Sequence, residues 1–372
     1  MSATSRADTY VERRRPTPPL FSICIPQHNR TSFLLEVCRS LEQQAWRDFE
    51  VCISDDRSTD GRQAEILDFL HASGLAFVYR VQAVNSRYDA NLRSAIELAR
   101  GEYCFLLGND DALKDRMTLS GLSEIVRSVP SPAVVFTNFE DYATGRVTQR
   151  VPRAAVRGSG PTLAASSFRK FSFVSGVVLA TGRAHASATA KWDGSEMYQM
   201  YIGTRLIAEG GVLVESDLVT VRKDIQVAGE NVDSYARKKD VEARGIPEQR
   251  IPLVTNARLV IDALGPHLPR RRFKILLGVL VQYFGLLYPY WLLEYRRVRS
   301  WRFAAGVSRA MRPRKSLDRV PLFWRERVCA ALLYAVSTVV GLTAPLFLIT
   351  RLHDTARHVG ARIADWSATA SS

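Results

Sequence analysis

The sequence predicts an α/β fold in which a mostly parallel central sheet is flanked by helices. Short apolar segments alternate with helical patterns of about a dozen residues, and this alternation is typical of βαβ units. Uninterrupted apolar runs such as residues 103–107 are typical of strands that a parallel sheet buries on both faces. The C-terminal part of the chain is basic and holds long apolar runs, so it predicts a separate helical region.

Strands and helices can be assigned in chain order. The leader, residues 1–19, is polar and rich in Arg and Pro, lacks the apolar core of a signal peptide and is expected to be disordered. The predicted strands are residues 21–26, 49–54, 77–81, 103–107, 133–138, 171–180 and 212–221. The predicted helices are residues 33–45, 64–71, 89–100, 118–128 and 192–207.

Two adjacent carboxylates, Asp110 and Asp111, follow Gly108 and Asn109 at the end of the predicted strand 103–107. They would lie at the carboxyl edge of the sheet, where open α/β sheets bind ligands. Burying either carboxylate beside the other costs several kcal/mol unless a cation compensates. The pair therefore indicates a site for Mg²⁺ or Mn²⁺, which prefer oxygen ligands and often bridge to phosphates. The alternative is a simple Asn-Asp turn.

Charge and cysteine content narrow the possible functions. The formal net charge is +14, and residues 266–372 hold 18 Lys+Arg against 5 Asp+Glu, whereas residues 1–265 hold 33 against 32. Such asymmetry predicts a nearly neutral domain joined to a basic region that meets a polyanion. The five cysteines include no C-x-x-C pair, which argues against a disulfide framework or a zinc site.

The basic region contains two long uncharged stretches, residues 275–293 and 328–350. Each is long enough to cross a hydrocarbon core of ~30 Å. Residues 294–327 between them carry 11 Lys+Arg against 3 acidic residues, so two spanning helices would place a basic loop opposite the N-terminal domain, against the positive-inside rule. We therefore expect interfacial or re-entrant helices that meet anionic lipid on the cytoplasmic face of the membrane.

The basic region also has interpretations that involve no membrane. An ordinary helical subdomain or a homo-oligomer interface would also bury apolar residues of this kind. Binding of nucleic acid is not expected, because the basic residues flank long apolar runs and no recognition motif is visible.

Four motifs in a fixed order give the chain a resemblance to a known family. They are P-x-H-N-R at 26–30, D-D-x-S-T-D-G at 55–61, A-x-G-E-Y at 99–103 and N-D-D at 109–111. Over residues 21–222 the chain resembles the inverting nucleotide-sugar glycosyltransferases of family 2, and more narrowly the bacterial enzymes of O-antigen and surface-polysaccharide synthesis. The resemblance implies a GT-A fold for residues 20–240. The charge surplus and the long apolar runs predict a helical, basic, membrane-associating region at 241–372.

The resemblance also implies roles for individual residues. Nucleotide contacts would come from the loops after the first two strands, from the helix that follows and from the N-D-D motif: Pro26, His28, Asp55, Asp56, Arg87 and Asp110. The family usually has Tyr where His28 stands, and Asn109 replaces the first carboxylate of the usual D-x-D motif. Asp111, with Asp110, would hold Mg²⁺ or Mn²⁺. Arg222 and Lys223, like Arg87, would assist the departing diphosphate or would be solvated surface charges.

Inversion needs a general base that deprotonates the acceptor hydroxyl. The family carries this carboxylate near the start of a helix, often within a Glu-Asp pair, and the matching stretch here, KWDGSEMYQMY, lacks that pair. Glu196 is our first candidate for the base and Asp193 our second. Helix capping or compensation of the helix dipole is the structural alternative for both residues.

The predicted function is transfer of a sugar from a nucleotide-sugar donor to a lipid-linked glycan or polysaccharide, with inversion and a divalent metal. A non-catalytic scaffold that binds sugar nucleotides or glycans is the alternative, and the missing Glu-Asp pair favours it. A nucleotidyltransferase of the same fold ranks lower, because no Gly-rich phosphate loop follows the first strand. Uracil is the default expectation for the base of the donor.

Overall fold

Residue contacts divide the chain into two units, which are described separately in this computed structural model. The N-terminal unit comprises Met1–Gly158 and Lys170–Lys238, and the C-terminal unit comprises Ser159–Arg169 and Lys239–Ser372. The segment 159–169 groups with the C-terminal unit, although the sequence reading placed it inside the N-terminal domain. The structure describes residues 8–230, 252–270 and 272–346.

A single eleven-stranded sheet runs through the described part of the N-terminal unit. Its strands are β1 Thr9–Arg13, β2 Phe21–Gln27, β3 Phe49–Asp55, β4 Phe77–Val81, β5 Tyr103–Leu106, β6 Ala112–Leu113, β7 Pro132–Asp141, β8 Val147–Thr148, β9 Ala155–Gly158, β10 Val177–Ala180 and β11 Val212–Lys223. The order across the sheet is β1-β4-β3-β2-β5-β10-β7-β11-β6, with β8 on β7 and β9 on β11.

The sheet is mixed, whereas the sequence reading expected mostly parallel strands. The four strands β4, β3, β2 and β5 are parallel, and every residue of β2 and β3 is buried, as strands covered on both faces require. Beyond them β10 runs antiparallel between β5 and β7. The segment before β10 lies at the carboxyl edge of β5, so β10 enters the sheet from that edge and must run back.

The helices of the N-terminal unit cover the sheet. They are α1 Thr31–Glu42, α2 Gln63–Ala72, α3 Arg87–Glu97, α4 Thr118–Ser128, α6 Thr181–Ala186 and α7 Tyr198–Ala208, while α5, Pro161–Ser167, belongs to the C-terminal unit. The helix predicted over residues 192–207 begins only at Tyr198. Gly194 (φ 94°) and Glu196 (φ 57°) adopt left-handed backbone conformations that a right-handed helix cannot include.

The predicted disordered leader contains β1, which is a correction to the sequence reading. Thr9–Arg13 pairs antiparallel with β4 and so covers a sheet edge that would otherwise expose unpaired backbone groups. The Arg13 guanidinium donates hydrogen bonds to the backbone carbonyls of Leu70 (2.9 Å) and Leu75 (3.1 Å), which anchors the strand to the end of α2. Residues 1–7 of the leader lie outside the described residues.

The described part of the C-terminal unit is helical. Besides α5 it contains α8 Pro252–Leu264, α9 Phe273–Val298, α10 Trp301–Ala310, α11 Pro313–Ser316 and α12 Trp324–Thr343. Helix α9 includes a π-helical stretch, Val281–Leu287, and packs against α5, where the Gln282 amide donates to the Ala165 carbonyl at 3.0 Å. By length and composition alone, both α9 and α12 could cross a membrane. Residues 241–251, 271 and 347–372 of the predicted basic region lie outside the described residues.

Candidate active site

The carboxyl ends of β2, β3 and β5 bring three of the sequence motifs to one edge of the sheet. Gln27, the last residue of β2, joins them. The backbone N–H of Asp56 donates to the Gln27 carbonyl at 2.8 Å, and the Asn109 amide donates to Gln27 Oε1 at 2.8 Å. The carboxylates after β3 and those after β5 are therefore held on opposite sides of one buried glutamine.

Asp55 and Asp56, predicted to bind the nucleotide, are both occupied by hydrogen bonds within the protein. Asp55 is fully buried and accepts from the Tyr79 hydroxyl and from the Ser58 N–H (2.7 Å), so in this conformation it shapes the loop and cannot contact a ligand. Asp56 accepts from the N–H groups of Ser86 (2.5 Å) and Arg87 (2.8 Å) at the start of α3. Its carboxylate thereby stabilises the positive end of that helix.

The remaining predicted nucleotide residues differ in how far solvent reaches them. Pro26 is buried inside β2, whereas His28 and Arg87 are exposed at the edge of the sheet. The Nδ1 atom of His28 lies 3.1 Å from the carbonyl oxygen of Asp56, which can only accept, so Nδ1 carries the proton in this contact. His28 and Arg87 are thus available to a ligand at this edge, and Pro26 supports the strand beneath them.

Asp110 and Asp111 fold back over Gly108. A Cβ atom on Gly108 would lie 3.1 Å from Asp110 Oδ1 and 3.0 Å from Asp111 Oδ2, so a side chain there would displace one of the carboxylates. Asp110 also accepts from the Arg30 guanidinium at 2.6 Å. The N-D-D turn thus directs an oxygen of each carboxylate toward the same point.

Asp111 is almost completely buried, with 2% of its surface exposed. It accepts from the Ser175 hydroxyl and from the backbone N–H of Asp224 (3.0 Å). Burial, followed by the neighbouring charge of Asp110, nevertheless raises the pKa of Asp111 to about 7. Asp110 is already paired with Arg30, whereas the hydrogen bonds to Asp111 come from a neutral hydroxyl and a backbone N–H. A divalent cation beside Asp111 would add positive charge that these donors do not carry.

The donor atoms at this point fit a hard divalent cation. No group of three or more His, Cys, Asp or Glu side chains within the described ranges forms a metal cluster, so protein ligands alone do not complete a coordination sphere. Mg²⁺ commonly takes only one or two carboxylates from the protein and fills its sphere with waters and substrate phosphates. Asp110 and Asp111 match that pattern.

The basic residues predicted to face the diphosphate are paired with acids. Arg222 Nε donates to Glu140 Oε1 at 3.0 Å, and Lys114 also donates to the Glu140 carboxylate. Lys223 pairs with Asp224, whose N–H holds Asp111. The charge of Asp111 acts on Lys223, whereas Arg222 is held by Glu140, and both cations have much of their charge already compensated.

Arg150 is a buried cation close to the site that the sequence reading missed. Its Nη2 atom donates to the carbonyls of Phe173 (3.0 Å) and Ser175 (2.9 Å). Its Nη1 atom has no hydrogen-bond partner within the described residues. Burial lowers its pKa to about 9, an effect that the charge of Asp111 opposes. Arg150 comes from a polar, basic stretch that predicts a surface loop, so no local signal marks it.

A second carboxylate cluster positions the candidate bases. Buried Asp89, in the first turn of α3, accepts at Oδ2 from the Glu196 N–H (2.7 Å) and at Oδ1 from the Tyr198 N–H (2.9 Å). Burial raises the pKa of Asp89, and these N–H groups oppose the shift. Glu196 is half-buried and has a left-handed backbone conformation. Asp193 is exposed, and its carboxylate accepts from the Arg93 guanidinium at 2.6 Å. Glu196 is the better placed of the two candidates.

The charges of both carboxylate clusters act on Tyr88. Its pKa is raised well above the usual range by burial and by the negative charges of Asp89, Glu196, Asp110 and Asp111. Its hydroxyl donates to the Gln199 side chain at 3.2 Å. The sequence gives no local signal for this role of Tyr88.

Comparison with known proteins relates part of this chain to one family. Residues 22–176 match the family model described as glycosyl transferase family 2. Abequosyltransferase RfbV of Salmonella typhimurium is 39% identical over 103 residues, which are 27% of this chain and 31% of RfbV. A second relative, a GalNAc(5)-diNAcBac-PP-undecaprenol beta-1,3-glucosyltransferase of Campylobacter jejuni, is 25% identical over 95 residues, 26% of this chain and 31% of that protein. The matches span about a third of the length of these curated relatives.

The fold extends further than these sequence matches. The crystal structure of S. aureus TarS 1-349 superposes with a TM-score of 0.56 over 86% of this chain and 90% of that one, at 16% identity. This superposition shows that the two proteins share a fold, and at 16% identity it shows the fold alone.

Proposed function

We propose that this chain, whose residues 22–176 match the family model described as glycosyl transferase family 2, transfers a sugar from a nucleoside-diphosphate donor to a hydroxyl group of a glycan. The observation that carries the proposal is the meeting of two pairs of adjacent carboxylates at one sheet edge, through Gln27. Asp55 and Asp56 are satisfied by donors of the protein and Asp110 is paired with Arg30, but buried Asp111 accepts from neutral donors. A divalent metal that binds together with the diphosphate of the donor would supply positive charge there.

Asp110 and Asp111 would hold the metal, with phosphate oxygens of the donor completing its coordination. When bound, Mg²⁺ or Mn²⁺ would stabilise the negative charge that develops on the departing diphosphate. The protein contributes the preorganised carboxylates, which Ser175 and the Asp224 N–H hold in place. His28 and Arg87 are exposed at the same edge and are proposed to contact the nucleotide.

Glu196 is proposed to act as the general base. Its carboxylate takes the proton of the acceptor hydroxyl while the hydroxyl oxygen bonds to the anomeric carbon. The bond between the anomeric carbon and the diphosphate oxygen breaks, and its electron pair leaves with the nucleoside diphosphate. Attack from the face opposite to the leaving group inverts the configuration. Asp193 is a weaker candidate, because its ion pair with Arg93 competes for the same carboxylate.

We propose a lipid-linked glycan as the acceptor and the cytoplasmic face of the membrane as the place of reaction. The C. jejuni relative is named for a substrate linked to PP-undecaprenol, which supports this class of acceptor. The basic C-terminal residues, 18 Lys+Arg against 5 Asp+Glu over residues 266–372, support attraction to anionic lipid.

The test is release of nucleoside diphosphate from a panel of nucleotide sugars, with Mg²⁺ or Mn²⁺ and extracted lipid-linked glycans as acceptors. We expect one donor and acceptor pair to give turnover that Asp111→Asn abolishes. Asp68→Asn is the matched control, because Asp68 is an exposed carboxylate on α2. If the unmodified protein binds nucleotide sugars but never releases nucleotide with any acceptor, it is a binding scaffold and the proposal fails.

A further inference from the structure

Helix α12 buries polar groups and exposes apolar ones, the reverse of a surface helix on a soluble unit. On its packed face, Ser337 is buried and the Tyr334 hydroxyl donates to the Ser308 carbonyl at 2.8 Å. The Thr338 hydroxyl lies 2.8 Å from that of Tyr288 in α9. The uncharged polar side chains Tyr334, Ser337 and Thr338 of α12 are therefore used for packing inside the unit.

The opposite face of α12 is a continuous apolar surface, called here the apolar stripe. Its members are exposed and uncharged. Each has another member three or four residues away along the chain, so they lie along one side of the helix. They are Val328, Ala331, Leu332, Ala335, Val336, Val339 and Val340. Leu332 and Val336 are 62% and 63% exposed. The apolar stripe is about 18 Å long at 1.5 Å per residue.

Helix α9, the other long apolar helix, does not share this pattern. Its large side chains are buried within the C-terminal unit, including Leu276, Leu280, Tyr283, Phe284, Tyr288 and Leu292. Of the two helices that could cross a membrane by length, α9 is the core of the unit and α12 presents an apolar face to the outside.

We propose that the apolar stripe of α12 lies in the interface of an anionic lipid bilayer, with the helix axis parallel to the membrane plane. The start of the helix carries the side chains that favour lipid headgroups. Phe323 and Trp324 are 61% and 70% exposed, and Arg325 and Arg327 are exposed beside them. The aromatic rings suit the boundary of the acyl region, and the arginines suit the phosphates.

Charge favours a lipid surface over a second copy of this chain. Residues 294–327, which lead into the apolar stripe, hold 11 Lys+Arg and 3 acidic residues. Two copies of this basic surface would repel each other, whereas anionic phospholipid headgroups attract it.

The packing of α12 favours a helix that lies on the membrane over one that crosses it. One side of α12 is held by α9, α10 and α11, so lipid can reach only the other side. A spanning helix needs apolar contact around its lipid-facing surface along its whole length. The apolar stripe begins only after Arg325 and Arg327, which stay at the headgroup level when the helix lies flat.

The first experiment measures flotation of the full chain with vesicles of phosphatidylcholine alone or mixed with phosphatidylglycerol. We expect binding to the anionic vesicles, weakened more than tenfold in the variant Leu332→Ser, Val336→Ser, Val339→Ser. These side chains are exposed, so their replacement should leave the thermal unfolding midpoint unchanged. The matched control replaces three exposed apolar residues of the N-terminal unit by serine: Met117, Val147 and Val156.

Equal vesicle binding by the stripe variant and the control would overturn the proposal, as would absence of binding by the unmodified chain. Light scattering tests the second copy directly: a dimer that the stripe variant dissociates, with vesicle binding retained, would assign the apolar stripe to self-association. Neither measurement depends on turnover, so failure here leaves the proposed transfer reaction standing.

A second experiment measures depth. Val328→Cys and Val340→Cys, each in a chain that also carries Cys329→Ser, are labelled with an environment-sensitive fluorophore, since the other four cysteines are buried. Lipids brominated at different depths quench the fluorophore. Equal depths for the two positions are expected if α12 lies flat. Depths that differ by the full length of the apolar stripe would show a spanning helix and overturn the proposed orientation.

Discussion

The two pairs of adjacent aspartates in the N-terminal unit share a sequence pattern and differ in chemistry. Asp55 is the last residue of β3 and Asp56 follows it, and both have their oxygens occupied by N–H and hydroxyl donors of the protein. Asp110 and Asp111 follow β5, and the pKa of Asp111 is raised to about 7 because its burial beside Asp110 is not fully compensated. The first pair has enough donors and supports the fold, whereas in the second pair Asp110 is matched by Arg30 and buried Asp111 has neutral donors, which suits it to bind a cation.

The largest effect is expected from Asp111→Asn. The asparagine oxygen can still accept from the Asp224 N–H, and its amide can donate to Ser175, so the local fold should survive. Loss of the charge removes a proposed metal ligand, and we expect transfer to fall by at least ~10²-fold. The steady-state rate of nucleotide release measures this loss. Because the substitution also removes a buried negative charge, the folded state at pH 8 should become more stable by on the order of 2–4 kcal/mol.

Retained activity in Asp111→Asn would show that the second pair is structural, like the first. A lower unfolding midpoint at pH 8 would show instead that the charge of Asp111 stabilises the fold, which contradicts the raised pKa.

Asp55→Ala is expected to act on stability. The substitution leaves the buried Tyr79 hydroxyl and the Ser58 N–H without their acceptor, which should cost about 2–3 kcal/mol of unfolding free energy. Urea unfolding followed by circular dichroism measures it. Tyr79→Phe in the same background should recover part of the loss, since the phenylalanine ring needs no acceptor; absence of any recovery would contradict the assigned role.

Asp89→Asn tests whether a buried carboxylate can position another one. Asparagine keeps one acceptor for the N–H groups of Glu196 and Tyr198 and loses the other, so the loop that carries Glu196 should loosen. We expect kcat to fall about tenfold while KM for the nucleotide sugar stays within twofold, because the base and not the donor site is disturbed. A rise in KM alone would place the role of Asp89 in donor binding.

The pH dependence of stability tests the same buried carboxylate. Because the folded-state pKa of Asp111 is about 7 and its ordinary value is about 3.9, the folded chain keeps a proton that the unfolded chain loses. Stability therefore falls as pH rises from about 4 to about 7 and levels off above that range. Mg²⁺ with nucleoside diphosphate should raise the unfolding midpoint more at pH 8 than at pH 5.5. Asp111→Asn should remove this difference; an equal shift at both values in the unmodified protein would contradict it.

Adjacency and periodicity along the chain were enough to predict the α/β unit, the sheet edge and the carboxylates that meet there. These features depend on neighbouring residues: apolar runs make buried strands, and residues after parallel strands share one edge. The tertiary structure decided which carboxylates are satisfied, because the donors Tyr79, Ser175 and Asp224 come from distant parts of the chain.

The tertiary structure also decided the other features that the sequence did not predict. Edge strand β1 depends on the vacant side of β4, and Arg150 reaches the site only because β7 and the segment before β10 pack around it. In the C-terminal unit, composition predicted two long apolar helices but could not separate α9 from α12. Burial depends on which face meets other helices, so only the tertiary structure shows that α9 forms a core and that α12 keeps its apolar side exposed.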